Sequence, residues 1–429
     1  MVFTLVIVTV NMSNLKWSDK SWDGIVKADG FGYYAYLPAV FVYHDLNFSF
    51  FEKMEGGKYY DPNLYFDYRQ QAHGNTINKY YCGTALVQSP FYFAAHLLAK
   101  EKDGYSKPYK IAWSIGALFY LAVGLIALNR LLLQFNIKER TRCFVLPATL
   151  FGTNLYFYTI GEPGMSHLYS FAFVALFLLS VRKYFLNPQI KYLLWSSVFL
   201  GIIVLIRPVN LMTILALPLM SDSKFQLING YKYAVSRFKY ILVFACIFIA
   251  IVSIQAIIYK IQTGRFLVYS YGEEGFNFLS PHFSDILFSY RKGLFVYTPM
   301  YLIAFIGFVV YYRKSAWTSL WAVAFFILIS YVLSSWHQWY YGGSFSSRVY
   351  VEYLPYFALG LALFMNNFNK LKLSALVLIL FMVTAVCQIQ TYQYRYYHIH
   401  WSEMNREKYW NTFLRIDRII YKGDSKNKH

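Results

Sequence analysis

Charged side chains are scarce in this chain, at 14% of 429 residues, where a soluble globular domain carries about a quarter. That scarcity excludes a fully solvated surface. Cysteine is scarce as well: there are four, and Cys143, Cys246 and Cys387 fall inside apolar runs. Only Cys82 is placed to face an oxidising compartment, which excludes a disulfide framework. The sequence has no zinc-site spacing and no phosphate-cradling glycine loop of the P-loop kind. Its histidines make no recognisable metal set, and His398 and His400 alternate in an aromatic tail as a strand or turn would.

Apolar and aromatic residues fill the space, at 57% and 21% of the chain. Several runs reach the roughly 20 residues that cross a bilayer core, among them Ile111–Phe135 and Tyr240–Tyr259. The composition predicts an all-α, polytopic membrane protein. About eleven spans are expected, near 1–15, 111–134, 143–160, 166–181, 191–206, 208–221, 240–260, 294–312, 316–335, 350–367 and 371–389. The first is short for a span and lacks the charged start and small-residue cleavage site of a signal peptide. It is expected to be a membrane helix clipped by the chosen start. The Arg207-Pro208 step makes 191–221 either two short helices or one broken one, because proline removes a backbone donor.

The formal net charge of +19 points to membrane orientation and not to nucleic acid. Basic clusters at Lys138/Arg140/Arg142, Arg182/Lys183/Lys191, Lys224/Lys232/Arg237/Lys239, Arg313/Lys314 and Lys370/Lys372 all fall on one face of this topology. The positive-inside rule makes that face cytoplasmic. Of the 21 acids, Glu139 and Asp222 alone lie there, so the reactive groups face outward. Residues 16–110 form a long external loop whose two apolar stretches, "YYAYLPAVFVY" and "GTALVQSPFYFAAHLLA", are expected to lie as amphipathic helices in the outer interface. Residues 1–389 thus read as the membrane domain, with an external basic and aromatic tail over 390–429.

Three groups on the outer face could carry chemistry. In "DGIVKADGFGYY", Asp23 and Asp29 each precede a glycine. Asp29 reads either as the N-cap of a helix starting near Tyr33 or as a carboxylate held at the membrane face to take a proton. In "YTIGEPGMSHLYSF", Glu162 occupies a loop of a few residues at bilayer level, with His167 following; a carboxylate there is costly unless it serves a function. The third group is basic. Lys79, Arg291, Lys292 and Arg348 suit the phosphate of a lipid carrier, although lone cations at an interface also snorkel. Trp336 and Trp339, beside Gly342 and Gly343, read as a sugar- or isoprenyl-binding surface or as an aromatic belt. Glu273, Glu274 and His282 read as a lid, a metal site or a polar loop, and spacing leaves the choice open.

This arrangement resembles the GT-C superfamily of polytopic glycosyltransferases, of the aminoarabinose-transferase or protein-mannosyltransferase type, which use polyprenyl-phosphate-linked sugars. "ADGFGYY" looks like the segment carrying the family's catalytic base, and "NKYYCGTALVQSPFYF" is similar to its lysine-bearing segment before an external helix, without the usual proline. "GEPGMSH" looks like its second acid-bearing loop, and "WHQWYYGGSFSSR" resembles a Trp- and Gly-rich loop of bacterial members. The resemblance implies an inverting glycosyltransferase in a bacterial inner membrane with its active site on the periplasmic face. Asp29 and Glu162 would be catalytic, and Lys79, His167, Arg291, Lys292, Trp336, Trp339 and Arg348 would bind the lipid-linked donor. It leaves the acceptor and any Mg²⁺ or Mn²⁺ unassigned; oxygen ligation by Asp29 and Glu162 would suit either ion. The competing reading is a transporter or flippase of a lipid-linked or anionic substrate; against it, charged groups are few at mid-membrane depth.

The orientation is testable by labelling. A cysteine placed at residue 164 is expected to react with a membrane-impermeant thiol reagent added outside, and one at residue 138 only after permeabilisation. The opposite pattern would invert the topology.

Overall fold

The computed structural model describes residues 5–6, 20–55, 67–366 and 368–417. It is predominantly helical, as lipid requires, because a backbone surrounded by hydrocarbon has to satisfy its N–H and C=O groups within its own helix. Among the described residues, five helices are long and apolar enough to cross a bilayer: Lys107–Gln134, His167–Leu186, Phe238–Thr263, Ala316–Ser334 and Leu373–Arg395. Ile190–Ile206 and Met300–Tyr311 are shorter apolar helices. The expected span 1–15 lies outside the described residues except for Leu5 and Val6.

The departures from the expected spans occur where proline or glycine interrupts the apolar pattern. The 208–221 segment is not an α-helix but two 3-10 pieces, Pro208–Ala216 and Pro218–Met220. Each begins at a proline, whose missing N–H is tolerated only in a first turn. The 143–160 span divides into Glu139–Phe151 and Leu155–Ile160 around Gly152. The 294–312 span divides into Leu294–Tyr297 and Met300–Tyr311 around Pro299. The 350–367 span enters as a 3-10 turn, Arg348–Tyr353, before the helix Leu354–Met365.

The long first loop also differs from expectation. Its first helix, Asp29–Phe41, is buried on every side from Gly30 to Ala39, so it is a core helix and not an amphipathic surface one. Burial all round is legible in the composition, since this stretch has no polar face to present to water. The second, Gly83–Leu98, buries Gly83, Thr84, Ala85 and Gln88 and exposes Leu97 and Leu98 by 81% and 82%, which suits an interfacial position. Between them the sequence forms a small antiparallel hairpin, Arg69–Ala72 with Asn75–Asn78, in which Arg69 faces Asn78 and Ala72 faces Asn75. Gly74, at φ +78°, makes its turn.

The chain divides into two units, one drawn from Met1–Asn136 with Tyr158–Gly275, the other from Ile137–Phe157 with Phe276–His429. In the first, Lys107–Gln134 packs on His167–Leu186, which packs on Ile190–Ile206, which packs on Phe238–Thr263. His167–Leu186 is the buried centre of that row, and Phe238–Thr263 leaves nearly all of its apolar surface uncovered, the pattern of a helix whose solvent is lipid. Arg182 ties one end of the row together: its guanidinium donates to the Gln134 and Met220 carbonyls at 3.1 Å each and pairs with Asp222 at 2.9 Å. A cation on terminal helix carbonyls also complements the helix dipole.

In the second unit, Met300–Tyr311 and Leu354–Met365 cross through glycine. A Cβ on Gly307 would run into the Gly360 carbonyl, and one on Gly360 into the Ala304 carbonyl. Such a contact exchanges side chains for close backbone packing. Gly307→Val is expected to destabilise the protein by about 2 kcal/mol or more through overpacking, measured as a lowered thermal midpoint in detergent; an unchanged midpoint would refute the close crossing.

Candidate functional site

The Asp29–Phe41 helix begins at Asp29 itself, following Ala28 at φ 49°. A non-glycine residue held in the left-handed region costs about 1–3 kcal/mol and is sustained only when its surroundings fix it. Ala28 is therefore the N-cap residue and has no side chain able to cap. The N-cap reading of Asp29 is corrected: its carboxylate sits in the first turn, where the helix dipole favours negative charge.

Two glycines position that turn. A Cβ on Gly30 would lie 3.0 Å from the Gly164 Cα and carbonyl carbon, and one on Gly164 would lie 3.1 Å from the Gly30 Cα. The "ADGFG" and "GEPG" segments therefore meet backbone to backbone. Pro163 and Gly164, read from sequence as turn formers, also make this contact. The Pro163 carbonyl accepts bonds from Trp113 Nε1 at 3.0 Å and the Tyr169 hydroxyl at 2.6 Å, and Gln88 Nε2 donates to that hydroxyl at 2.5 Å. With its loop so held, Glu162 places a carboxylate oxygen 3.7 Å from Lys27 Nζ.

The lysine-bearing segment arrives by way of the hairpin. The Lys79 N–H donates to the Tyr68 carbonyl at 2.9 Å. Asn78 next to it donates to the Gly32 carbonyl at 2.8 Å and accepts from the Tyr80 N–H at 2.9 Å. The Tyr80 ring lies 4.6 Å from that of Tyr33, and its hydroxyl is hydrogen-bonded to Asp29. Burial pushes the Tyr80 hydroxyl well above its ordinary value, and the Asp29 charge pushes it further, so it stays protonated and donates to the carboxylate. Lys79 is paired with Glu274 at 2.5 Å, and its ammonium stands 5.6 Å from the centre of the Tyr271 ring. Tyr271 is also raised, first by burial and then by Tyr33; Arg207 opposes this and Asp29 adds to it.

His167 is buried and sits at the head of the His167–Leu186 helix, with Nδ1 3.0 Å from Arg207 Nη1 and its ring 5.3 Å from that of Tyr158. Arginine can only donate, so His167 Nδ1 is the acceptor in this contact. Arg207 was missed by the sequence reading, which treated it as a helix break. The available signal was a cation closing the apolar run 198–206 just before proline.

Asp23 takes a different part. Its carboxylate pairs with Lys110, which is 1% exposed and also donates to the Asp23 carbonyl at 3.1 Å. A buried ammonium needs such a partner, so Asp23 is structural. Cys82 is likewise buried, and burial pushes its thiol up to about 12; it is unreactive despite its outward position in the topology.

The remaining predicted residues belong to the second unit. The Arg291 guanidinium lies 3.4 Å over the Tyr340 ring and donates to the Ser402 carbonyl at 2.8 Å. Lys292 is 2% exposed, donates to the Ser344 carbonyl and stands 4.8 Å over Tyr394, so here it pins the glycine-rich loop. Trp336 bridges back to Phe276, with ring centres 4.8 Å apart, and Trp339 stacks on His282 at 6.0 Å. His282 pairs with Asp285 at 2.9 Å. Arg348 opens the 3-10 turn that leads into Leu354–Met365. His400 accepts backbone N–H bonds from Ser402 and Glu403. Among the described residues, no three His, Cys, Asp or Glu side chains are grouped to hold a metal ion.

No family model matches this sequence, and no curated protein matches it. Among solved structures the chain is similar to the archaeal oligosaccharyltransferase AglB from Archaeoglobus fulgidus, in complex with an inhibitory peptide and a dolichol-phosphate. The identity is 10% and the TM-score 0.48, over 99% of this chain and 57% of that one. This chain therefore spans less than two thirds of that protein's length.

The two neighbouring acids are separable by stability. Asp23→Asn is expected to cost about 2 kcal/mol, below the roughly 3–5 of a fully buried broken pair because Asp23 is 28% exposed. Asp29→Asn is expected to cost under about 1 kcal/mol, the helix-dipole contribution. Thermal unfolding in detergent measures both, and equal losses would remove the distinction. Because Gly164 is buried against Gly30, the outside reporter for thiol labelling belongs instead at exposed Glu273.

Proposed function

We propose that this protein is an integral-membrane inverting glycosyltransferase of the GT-C kind, moving a sugar from a polyprenyl-phosphate carrier to an acceptor on the outer face of a bacterial inner membrane. The observation that carries this reading is the convergence of three separated segments in one unit. The Asp29 turn packs on the Glu162 loop through Gly30 and Gly164, and the Lys79 segment adjoins it through Tyr80, which is hydrogen-bonded to Asp29.

In this reading an acceptor hydroxyl or amine attacks the anomeric carbon. The bond from that carbon to the phosphate oxygen breaks, and the phosphate departs with the electron pair. Asp29 takes the acceptor's proton, and attack from the face opposite the phosphate inverts the centre. The hydrogen bond from Tyr80 holds the carboxylate in one orientation, which is how a general base is aimed. Lys79 offsets the charge gathering on the departing phosphate, where a water-poor site makes one cation count for most. Glu162, held near Lys27, orients the acceptor. The chemistry falls to residues of the first unit.

Asp29→Asn is expected to lower transfer from a polyprenyl-phosphate sugar by at least about a thousandfold, at the upper part of the usual range for a general base, while binding of the carrier is kept. Near-full transfer by this variant would refute the base. Movement of the lipid-linked substrate across reconstituted vesicles without any glycosyl product would establish the transporter instead.

A further inference from the structure

Lys79 is not bare. The Glu274 carboxylate lies 2.5 Å from its ammonium, in the position and with the charge that a phosphate oxygen would have. We propose that Glu274 is a built-in stand-in for the phosphate of a lipid donor, which releases Lys79 when that phosphate arrives. This rests on the reading of Lys79 as the phosphate-binding cation.

The segment carrying Glu274 is a short turn between tied stretches, since Phe276 just beyond it is bridged to Trp336. Its start is anchored: Val268 packs with Ile77 and Tyr259, and the Ser270 hydroxyl donates to the Lys79 carbonyl at 2.8 Å. Gly272 follows at φ +60°, with open space where a Cβ would point except for Gln70 Oε1 at 3.6 Å. A glycine in that conformation can change its backbone angles without a side chain obstructing it. Glu274 comes two residues later, held by a turn bond from its N–H to the Tyr271 carbonyl at 3.1 Å and by the Tyr269 hydroxyl on its own carbonyl. These two ties stay within the turn, so Glu274 can swing off Lys79 without breaking the anchors on either side.

Charge balance gives the reason for the device. A lysine at the membrane face without a counter-ion would attract any anion or anionic headgroup. A tethered carboxylate blocks weak competitors, and a phosphate, with more charge and more acceptor oxygens, displaces it. The exchange keeps the ammonium compensated throughout, which a site beside apolar helices requires.

The test uses the full chain in detergent, titrated with a long-chain polyprenyl monophosphate carrying no sugar and followed by native mass spectrometry. Glu274→Gln is expected to bind about tenfold more tightly than the natural protein, and Lys79→Gln about tenfold more weakly. The double variant should lose the gain. Glu274→Ala should move the same way as Glu274→Gln, which covers a fold defect in either. Unchanged or weaker binding in both Glu274 variants, with Lys79→Gln still impaired, overturns the stand-in and leaves the Lys79 reading intact. No loss in Lys79→Gln overturns both. Inorganic phosphate is the second probe: equal binding of it and the lipid by Glu274→Gln overturns the lipid as occupant.

Discussion

Everything placed at the candidate site depends on one contact without side chains, the approach of Gly30 to Gly164. Two loops more than a hundred residues apart in sequence meet there at about 3 Å from a notional Cβ to backbone. A methyl group on either side would force them apart. That distance fixes how far Asp29 stands from the Glu162 loop, and both loops are stiffened beyond the contact itself. Trp113 and Tyr169 hold the Pro163 carbonyl on one side, and Ala28 carries left-handed backbone on the other. Strain at an alanine persists only where the structure around it has no slack. The contact and the strain are two expressions of one constraint, the fixed placement of the Asp29 turn against the Glu162 loop.

Around that contact the unit uses aromatic residues where a soluble enzyme would use polar ones. Tyr33, Tyr34, Tyr36 and Tyr80 are all buried, and each phenol supplies a large apolar body with one hydrogen-bonding tip. Tyr36 donates to the Tyr80 carbonyl at 2.7 Å, and Tyr80 in turn is bonded to Asp29. The rings exclude water while the tips orient backbone and carboxylate, so burial and positioning come from the same residues. This explains why a 21% aromatic content need not be read only as an interfacial belt.

Much of this was legible in the sequence, and the reasons for the rest are specific. Long uninterrupted spans such as Lys107–Gln134 announce themselves because hydrocarbon thickness sets their length. Pro208 marked a break, whereas the expected spans ran through Pro218 and Pro299; whether a broken stretch becomes a 3-10 turn depends on its neighbours, which composition does not record. Asp23 and Asp29 look alike locally, each before a glycine, and the partner that claims Asp23, a buried Lys110, lies 87 residues away and leaves no local trace. The helix start was misplaced by four residues because glycines at 30 and 32 argue against a helix, and tertiary packing on Gly164 and Tyr80 overrides that preference. Arg207 was passed over because a proline beside it explained the break without asking what the cation meets.

The cations of the first unit also show an order among their partners. Lys110, 1% exposed, is paired with Asp23, and Lys27 with Glu162, itself 13% exposed. Arg207 meets a neutral nitrogen of buried His167. Lys79 is paired with Glu274, whose side chain is 33% exposed. Taking a partner away from Lys110 would leave an ammonium in apolar surroundings with nothing to replace it, at a cost of several kcal/mol. Taking Glu274 from Lys79 returns to water a carboxylate that is already one-third exposed, and solvation recovers part of what the pair provided. Of these three lysine pairs, Lys79–Glu274 has the most exposed carboxylate, at 33% against 28% for Asp23 and 13% for Glu162. Lys79 follows directly on the hairpin and precedes Tyr80, whose hydroxyl is bonded to Asp29, so the ion pair and that carboxylate are linked through one tyrosine.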